Sequence, residues 1–160
     1  MSSTTVRHRV ATVVMALGLV AIAASSTAQD KAALVKERQV HMKGQGAANK
    51  AINDYGKGRV PKAVAEKAIA DLQARNAKTL SFFTDKSTSS TAMPGVSNAK
   101  ANIWTDNAKF ASYVNNLKPL LDKQAALIKT GTPAQVGALQ AELGKANCSG
   151  CHDTFREPEG

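Results

Sequence analysis

Apolar residues recur at helical spacing along almost the whole chain after residue 28, and this periodicity is the strongest constraint on the fold. Aromatic residues make up only 4% of the 160 residues. Runs of β-branched residues are scarce outside the first 28 positions. Because strands are enriched in both residue types, a β-sandwich or β-barrel is excluded. The sequence predicts an all-α protein, and four amphipathic segments with short connections favour an antiparallel up-down-up-down four-helix bundle.

Glycine, proline and Ser/Thr-rich stretches separate the four predicted helices. The helices cover, in order, about residues 31–55, 61–83, 98–129 and 133–156. Pro119 lies inside the third, where we expect a kink or a local break. Thr132 and Gln135 have the residue types and spacing of a capping box at the start of the fourth. The stretch 84–97 is predicted to be a loop.

The first helix has a clearly amphipathic pattern. Lysines recur every seven residues and predict one solvent-facing stripe, formed by Lys36, Lys43, Lys50 and Lys57. Leu34, Ala48, Ile52 and Tyr55 lie roughly opposite this stripe. We therefore expect these four residues to face the core.

Residues 1–28 are predicted to be a secretory signal peptide. Arg7 and Arg9 precede an apolar run, and the small residues up to Ala28 suit a signal peptidase. The apolar run is short for a membrane anchor, which needs about 20 residues, and no later segment is apolar enough to cross a membrane. Residues 29–160 then form the mature domain, with 19 basic and 12 acidic residues and a charge of 19 − 12 = +7. The expected destination is the periplasm, across the inner membrane.

The only two cysteines lie in Cys148-Ser149-Gly150-Cys151-His152, a C-x-x-C-H sequence. This is the attachment sequence of haem c, in which two thiols add to the haem vinyl groups and the adjacent imidazole binds the iron. On an α-helix, Cys148, Cys151, His152 and Phe155 fall within an arc of about 100°, so one face can serve all these roles. The sequence predicts one covalent haem c, with His152 as an axial ligand.

Two other uses of the cysteine pair are less consistent with the sequence. A dithiol redox motif normally accompanies a βαβ pattern, which is not predicted here. A zinc site needs further ligands, and the mature chain offers only His41 and His152 as nitrogen ligands. The two cysteines also exclude a disulfide-dense scaffold.

The sixth iron position is not decided by the residue pattern. Met42, His41 and Met93 are the candidates, and Met93 ranks last because it lies in the predicted loop. The lysine stripe puts His41 nearer the centre of the buried face and Met42 on its flank. Methionine is also a common core residue, so Met42 need not bind metal.

The mature chain resembles the class II c-type cytochromes, the cytochrome c′ family, over essentially its whole length. The resemblance rests on Arg38-Gln39 followed by Met42, on Ile103-Trp104 followed by Phe110, and on the segment from Cys148 to Arg156. The last segment is the most specific, because haem attachment near the C-terminus is characteristic of this class. The four-helix bundle is also the fold of this family.

The resemblance implies roles for several further residues. It is greatest to the low-spin branch, in which a methionine at the position of Met42 is the sixth iron ligand. It implies haem propionate contacts for Arg38 and propionate or proximal-histidine contacts for Arg156. Trp104 and Phe155 are expected to pack against the haem.

These observations predict a periplasmic electron carrier, not an enzyme. The iron would be six-coordinate and low-spin, with His152 and Met42 as ligands. The alternative is a five-coordinate, high-spin cytochrome c′ that binds nitric oxide or carbon monoxide. The positive surface is expected to attract redox partners with acidic surfaces. Nucleic acid is not expected as a partner because the basic residues are spread along the helices. The family resemblance also suggests a homodimer.

Overall fold

A computed structural model describes residues 11–158, with side chains from residue 29 onward. The predicted signal peptide, residues 1–28, lies outside the residues whose side chains are described. The described residues contain no strand, and helices dominate the chain. The predicted all-α class and four-helix bundle are confirmed.

The described residues form six α-helices. They are α1 (Ala11–Gly56), α2 (Lys62–Lys78), α3 (Asn102–Thr105), α4 (Asn107–Thr130), α5 (Pro133–Leu143) and α6 (Gly150–Phe155). Two short 3₁₀ helices, Thr79–Phe83 and Lys86–Thr88, follow α2, and a π-helix, Gly144–Ser149, joins α5 to α6. The helices α1, α2, α4 and α5 form the bundle, in which α1 packs on α2 and α5, and α4 packs on the same two helices. No helix among the described residues has the length and apolar character needed to cross a membrane.

The fourth predicted helix begins as its sequence indicates. Thr132 is the N-cap of α5, its hydroxyl accepts a hydrogen bond from the Gln135 backbone N–H, and the Gln135 side chain reaches back to the Thr132 backbone N–H at 2.8 Å. Pro133 occupies the first turn. The capping box is therefore present as predicted.

The third predicted helix is divided at a different place from the one expected. The assigned helix α4 continues through Pro119 without a break. The break lies at Asp106, whose backbone (φ −120°, ψ 48°) is not helical and separates α3 from α4. Trp104 is therefore held on a separate short helix.

The core has two parts. One is aliphatic and includes Ile52, Leu72 and Ile128, and the other is aromatic and includes Phe83, Phe110 and Phe155. The first helix buries Ala48, Ile52 and Tyr55 as predicted, and the four lysines of the predicted stripe are exposed. Leu34 was expected in the core but is 47% exposed. The next residue along α1, Val35, is buried in its place at 1% exposure.

Two helices approach closely at a glycine pair. A Cβ placed on Gly56 would lie 2.6 Å from the Cα of Gly137. This distance is shorter than any non-bonded carbon contact, so only glycine at position 56 permits the observed spacing of α1 and α5.

Candidate functional site

A cavity of about 560 Å³ lies beside the aromatic part of the core. Its wall contains residues from α1, α2, α4 and the C-terminal helical segment. All the predicted site residues except Trp104 line it, namely Arg38, Met42, Cys148, Cys151, His152, Phe155 and Arg156. The fold therefore brings together residues that are more than 100 positions apart in the sequence.

The two cysteines occupy different kinds of helix. Cys148 belongs to the π-helix Gly144–Ser149, and Cys151 belongs to α6. The predicted continuous α-helix through this segment is therefore wrong. A π-helix has more residues per turn than an α-helix and is frequent at functional sites. Both sulfur atoms nevertheless reach the same cavity.

Both thiols are free, and each residue is partly buried. Burial raises the pKa of Cys148, and a hydrogen bond from Asn49 opposes this effect. Burial, followed by the proximity of Cys148, raises the pKa of Cys151 to about 11. Reactive dithiol motifs have lowered thiol pKa values, so these thiols do not resemble those of a thiol oxidoreductase.

Aromatic rings surround the cysteine segment. The Phe155 ring, which is buried, is 5.3 Å from the Phe110 ring and 6.2 Å from the Tyr113 ring, both in edge-to-face geometry. Tyr113 also lies beside Gly150, where an added Cβ would be 3.3 Å from the Tyr113 ring. The glycine between the two cysteines therefore allows the ring to approach closely. This wall is apolar and suits a large planar group.

The two neighbouring candidates on α1 have different environments. Met42 is half-buried and lines the cavity. His41 is 6% exposed but does not line the cavity. Its ring lies 4.3 Å from the Phe82 ring, and its Nε2 atom is 3.2 Å from both Thr79 Oγ1 and Gln45 Nε2. His41 thus joins α1 to the 3₁₀ helix after α2, and the third candidate, Met93, is also absent from the cavity wall.

Arg38 is a buried cation at the cavity. It is 4% exposed and donates hydrogen bonds to Thr88 Oγ1 and Thr88 O, both at 2.9 Å, and to Ser97 Oγ at 2.8 Å. Its guanidinium also lies 5.1 Å from the centre of the Phe83 ring. All these partners are neutral, and burial lowers the pKa of Arg38. No carboxylate of the described residues forms an ion pair with it.

The last predicted contacts lie at the C-terminal end of the site. Arg156 lines the cavity, and its backbone forms an antiparallel bridge with Ala99. Trp104 does not line the cavity and instead lies behind Phe83, with ring centres 6.4 Å apart. Its indole N–H is buried and has no hydrogen-bond partner in the described part of the chain. The structure therefore does not bring Trp104 to the cavity wall, and its haem contact stays a prediction.

The sequence analysis missed several residues of the wall. Phe110, Tyr113, Asn49 and Asn76 all line the cavity. The helical spacing of Phe110 and Tyr113 could have shown that they lie on the buried face of α4. No comparable sequence signal existed for Asn49, because asparagine on an amphipathic helix is usually solvent-exposed.

The donor set fits a haem better than an isolated metal ion. Within the described residues, no group of three or more His, Cys, Asp or Glu side chains is arranged to hold a metal. Instead, the cavity combines two thiols, one imidazole, an apolar wall and a buried cation that has no anionic partner. A haem c needs thiols that bond to its vinyl groups, an axial ligand for its iron, an apolar pocket and a positive charge for its propionates. The residues of this cavity supply each of these.

A comparison with protein families decides the relationship. The family model described as Cytochrome C′ matches residues 33–156. The chain belongs to the cytochrome c′ family. Members of this family carry one covalently attached haem c, and the predicted cofactor is confirmed at this level.

Individual relatives agree with this assignment. The cytochrome c′ of Rubrivivax gelatinosus is 42% identical over 59 residues, which is 37% of this chain and 45% of that protein. The matched segment thus spans less than half the length of this relative. The solved structure of the Rubrivivax gelatinosus protein has a TM-score of 0.63 and 28% identity, and covers 78% of this chain and 94% of that one.

Another solved structure extends the agreement in fold. Cytochrome c′ from Rhodobacter sphaeroides has a TM-score of 0.72 and 22% identity, with 81% of this chain and 98% of that chain covered. None of these comparisons supports the predicted place in the low-spin, methionine-ligated branch of the cytochrome c′ family. Family members are haem electron carriers or gas-binding proteins, which agrees with the expectation of a protein that is not an enzyme.

Proposed function

We propose that this cytochrome c′ binds a small gas, nitric oxide or carbon monoxide, at a haem c joined to Cys148 and Cys151. The observation that carries the proposal is the single cavity into which both thiols and His152 open, and whose remaining wall is largely apolar. Of the sixth-ligand candidates Met42, His41 and Met93, only Met42 lines this wall. In the proposal, His152 would be the protein ligand of the haem iron, and the bound haem would supply the site at which the gas binds.

Solved relatives provide supporting evidence for this choice. One is a nitric oxide complex of a variant of cytochrome c′ from Alcaligenes xylosoxidans, with a TM-score of 0.64 and 23% identity, covering 78% of this chain and 94% of that one. The identity is low, so this likeness by itself concerns the fold. The gas-binding alternative of the sequence analysis fits the family better than the six-coordinate carrier.

The haem supplies the iron that binds the gas or exchanges an electron, and the protein controls its surroundings. Arg38 is the residue best suited to a propionate, because its buried guanidinium has only neutral partners. Phe110 and Phe155 contribute buried apolar surface to the cavity wall.

The second candidate function is electron transfer through a six-coordinate, low-spin haem. One observation favours it: of the three candidates for the sixth ligand, only Met42 lines the cavity. Ligation by methionine and histidine would raise the reduction potential of the haem iron relative to that with harder ligands. Met42 therefore decides between the two functions.

Absorption spectra of the purified protein distinguish these functions. If the gas-binding proposal is right, the ferric protein is high-spin, the ferrous protein binds carbon monoxide readily, and Met42→Leu changes neither property. A low-spin ferric spectrum with a sulfur-to-iron charge-transfer band, lost in Met42→Leu, would instead identify the electron carrier. Met93→Leu is the matched control because Met93 does not line the cavity.

We further propose that the protein acts in the periplasm, where members of this family are found. The sequence of residues 1–28 supports export, and the charge of +7 on the remaining chain (19 − 12) favours redox partners with acidic surfaces. A homodimer is consistent with the family.

A further inference from the structure

Three amide side chains, of which two are buried and Asn49 is partly buried, form a hydrogen-bonded chain that ends at a cysteine. Gln124 Nε2 lies 3.4 Å from Gln140 Oε1, and Gln140 Nε2 lies 2.9 Å from Asn49 Oδ1. Asn49 Nδ2 then lies 3.7 Å from Cys148 Sγ. This series of hydrogen-bonded amides connects α4, α5 and α1 to the π-helix. Gln124 is completely buried, and Gln140 is 7% exposed.

Such a chain is costly inside an apolar bundle. A buried amide loses its hydrogen bonds to water and must recover them from protein groups. One atom of the chain, Gln124 Oε1, is buried with no partner among the described residues. Leucine at positions 124 and 140 would avoid this cost, so packing alone does not account for the glutamines.

The contact of Gln124 with a backbone carbonyl determines which groups donate and which accept along the series of amides. Gln124 Nε2 also lies 3.0 Å from the carbonyl oxygen of Val136, which can only accept. The Gln124 amide therefore presents N–H groups to both Val136 and Gln140. Gln140 must accept with its oxygen and donate with its nitrogen, so Asn49 accepts at Oδ1. The Asn49 amide is then forced to present an N–H, not an oxygen, to Cys148 Sγ.

Cys151 has a different environment. It packs against the aromatic part of the core, beside Phe110, Phe155 and other apolar side chains. Cys148 precedes α6 and belongs to the π-helix. The two cysteines are thus positioned by different means, Cys151 by packing and Cys148 by a directed hydrogen bond.

We propose that Asn49 is a positioning residue for haem attachment at Cys148. Its N–H holds the sulfur at the cavity wall, and Gln140 and Gln124 fix the orientation of the amide. This inference rests on the proposed function, since it assumes a covalent haem. In the attachment step the thiol adds across a vinyl C=C bond. One C–S bond forms and the thiol hydrogen goes to the neighbouring vinyl carbon, with no net oxidation or reduction.

The experiment measures how each cysteine is linked. The holoprotein is purified from cells that attach haem c, unfolded and treated with an alkylating reagent, and labelled Cys148 and Cys151 are counted by mass spectrometry. In Asn49→Leu we expect the fraction of haem attached through Cys151 alone to rise about two- to tenfold, as the loss of one hydrogen bond implies. Asn49→Asp, which keeps the size of the side chain and replaces the N–H group by oxygen, covers the case in which the leucine variant does not fold.

Two further variants separate positioning from a general loss of stability. Gln140→Leu frees the Asn49 amide to rotate, so it should also raise the fraction of haem linked only through Cys151. Because both residues act through one hydrogen bond, the double variant should be no worse than Asn49→Leu alone. Gln73→Leu is the matched control, since Gln73 is directed to Asp122 on the surface.

Each outcome is informative. Unlinked Cys148 at the wild-type level in both Asn49 variants would overturn the role of Asn49, and additive effects in the double variant would overturn the role of the amide chain. A wild-type protein that carries no haem would instead overturn the proposed function. The two failures are therefore distinguishable.

Discussion

Replacement of Arg38 by methionine tests the claim that a buried cation organises one wall of the site. The substitution keeps most of the aliphatic stem and removes three hydrogen bonds, two to Thr88 and one to Ser97. It also removes the contact of the guanidinium with the Phe83 ring. The loop that contains Thr88 and Ser97 would then lose its main connection to α1.

The magnitude follows from the chemistry of these contacts. A hydrogen bond to a charged group contributes about 1.5–3 kcal/mol, and the desolvation of the buried guanidinium offsets part of the sum. Because the partners of Arg38 are neutral, its replacement leaves no unpaired charge, and the Thr88 carbonyl left without its donor costs about 1–3 kcal/mol. We therefore expect Arg38→Met to lower the free energy of unfolding by about 2–4 kcal/mol.

The assay is urea unfolding of the holoprotein at neutral pH, followed by far-ultraviolet circular dichroism. Arg59→Met is the matched control, because the Arg59 side chain is 65% exposed and lies 3.6 Å from Asp54. A surface pair of this kind contributes about 0–1 kcal/mol. If Arg38→Met costs no more than Arg59→Met, the buried network does not stabilise the fold and the reasoning is refuted.

Two other changes test separate features of the structure. Gly56→Ala should lower the free energy of unfolding by about 1–3 kcal/mol because the new Cβ overlaps the backbone of Gly137. Thermal unfolding measures this change, and an unchanged midpoint would contradict the close approach of α1 and α5. Gly144→Ala, where a Cβ meets no atom within 4 Å, is its control. Burial and then the positive charges of Arg75 and Lys78 lower the pKa of His41, with Asp71 opposing them. The unfolded chain then binds the proton more readily, so stability should fall as the pH drops below about 6.5. In His41→Gln, the free energy of unfolding should therefore depend less on pH between pH 7 and 5.5. An equal dependence on pH in both proteins would argue against a neutral, buried histidine.

Much of the fold could be predicted because it depends on local signals. The capping box at Thr132 and the lysine stripe of α1 follow from spacing alone, and both are present. The break at Asp106 could not be predicted, because Pro119 was the stronger local signal. A proline on the exposed side of a helix, as Pro119 is, need not interrupt it.

The candidate site was predictable in its residues but not in its geometry. The C-x-x-C-H spacing identified Cys148, Cys151 and His152, and the fold brings all three to one cavity. The helical periodicity correctly placed His41 on the buried face, but it did not show that His41 faces the end of α2 and not the cavity. That outcome depends on Thr79, whose position relative to α1 is a tertiary property.

The π-helix and the amide chain were beyond the reach of pattern analysis for a related reason. The residues 144–149 gave no signal for a π-helix, which is rare and occurs mostly as a single turn within an α-helix. Asn49 and Gln140 are 91 residues apart, and their contact exists only when α1 and α5 are packed. Buried polar contacts of this kind are specified by the assembled bundle.

The measurement that tests the account most directly is the intact mass of the secreted protein together with its ferrous absorption spectrum before and after exposure to carbon monoxide. The account predicts a mass gain of one haem that survives unfolding, its loss when Cys148 and Cys151 are both replaced by alanine, and a spectral change on addition of the gas. A colourless protein with the mass of the bare chain would contradict the assignment of the site. A coloured protein whose spectrum the gas leaves unchanged would contradict the gas-binding function.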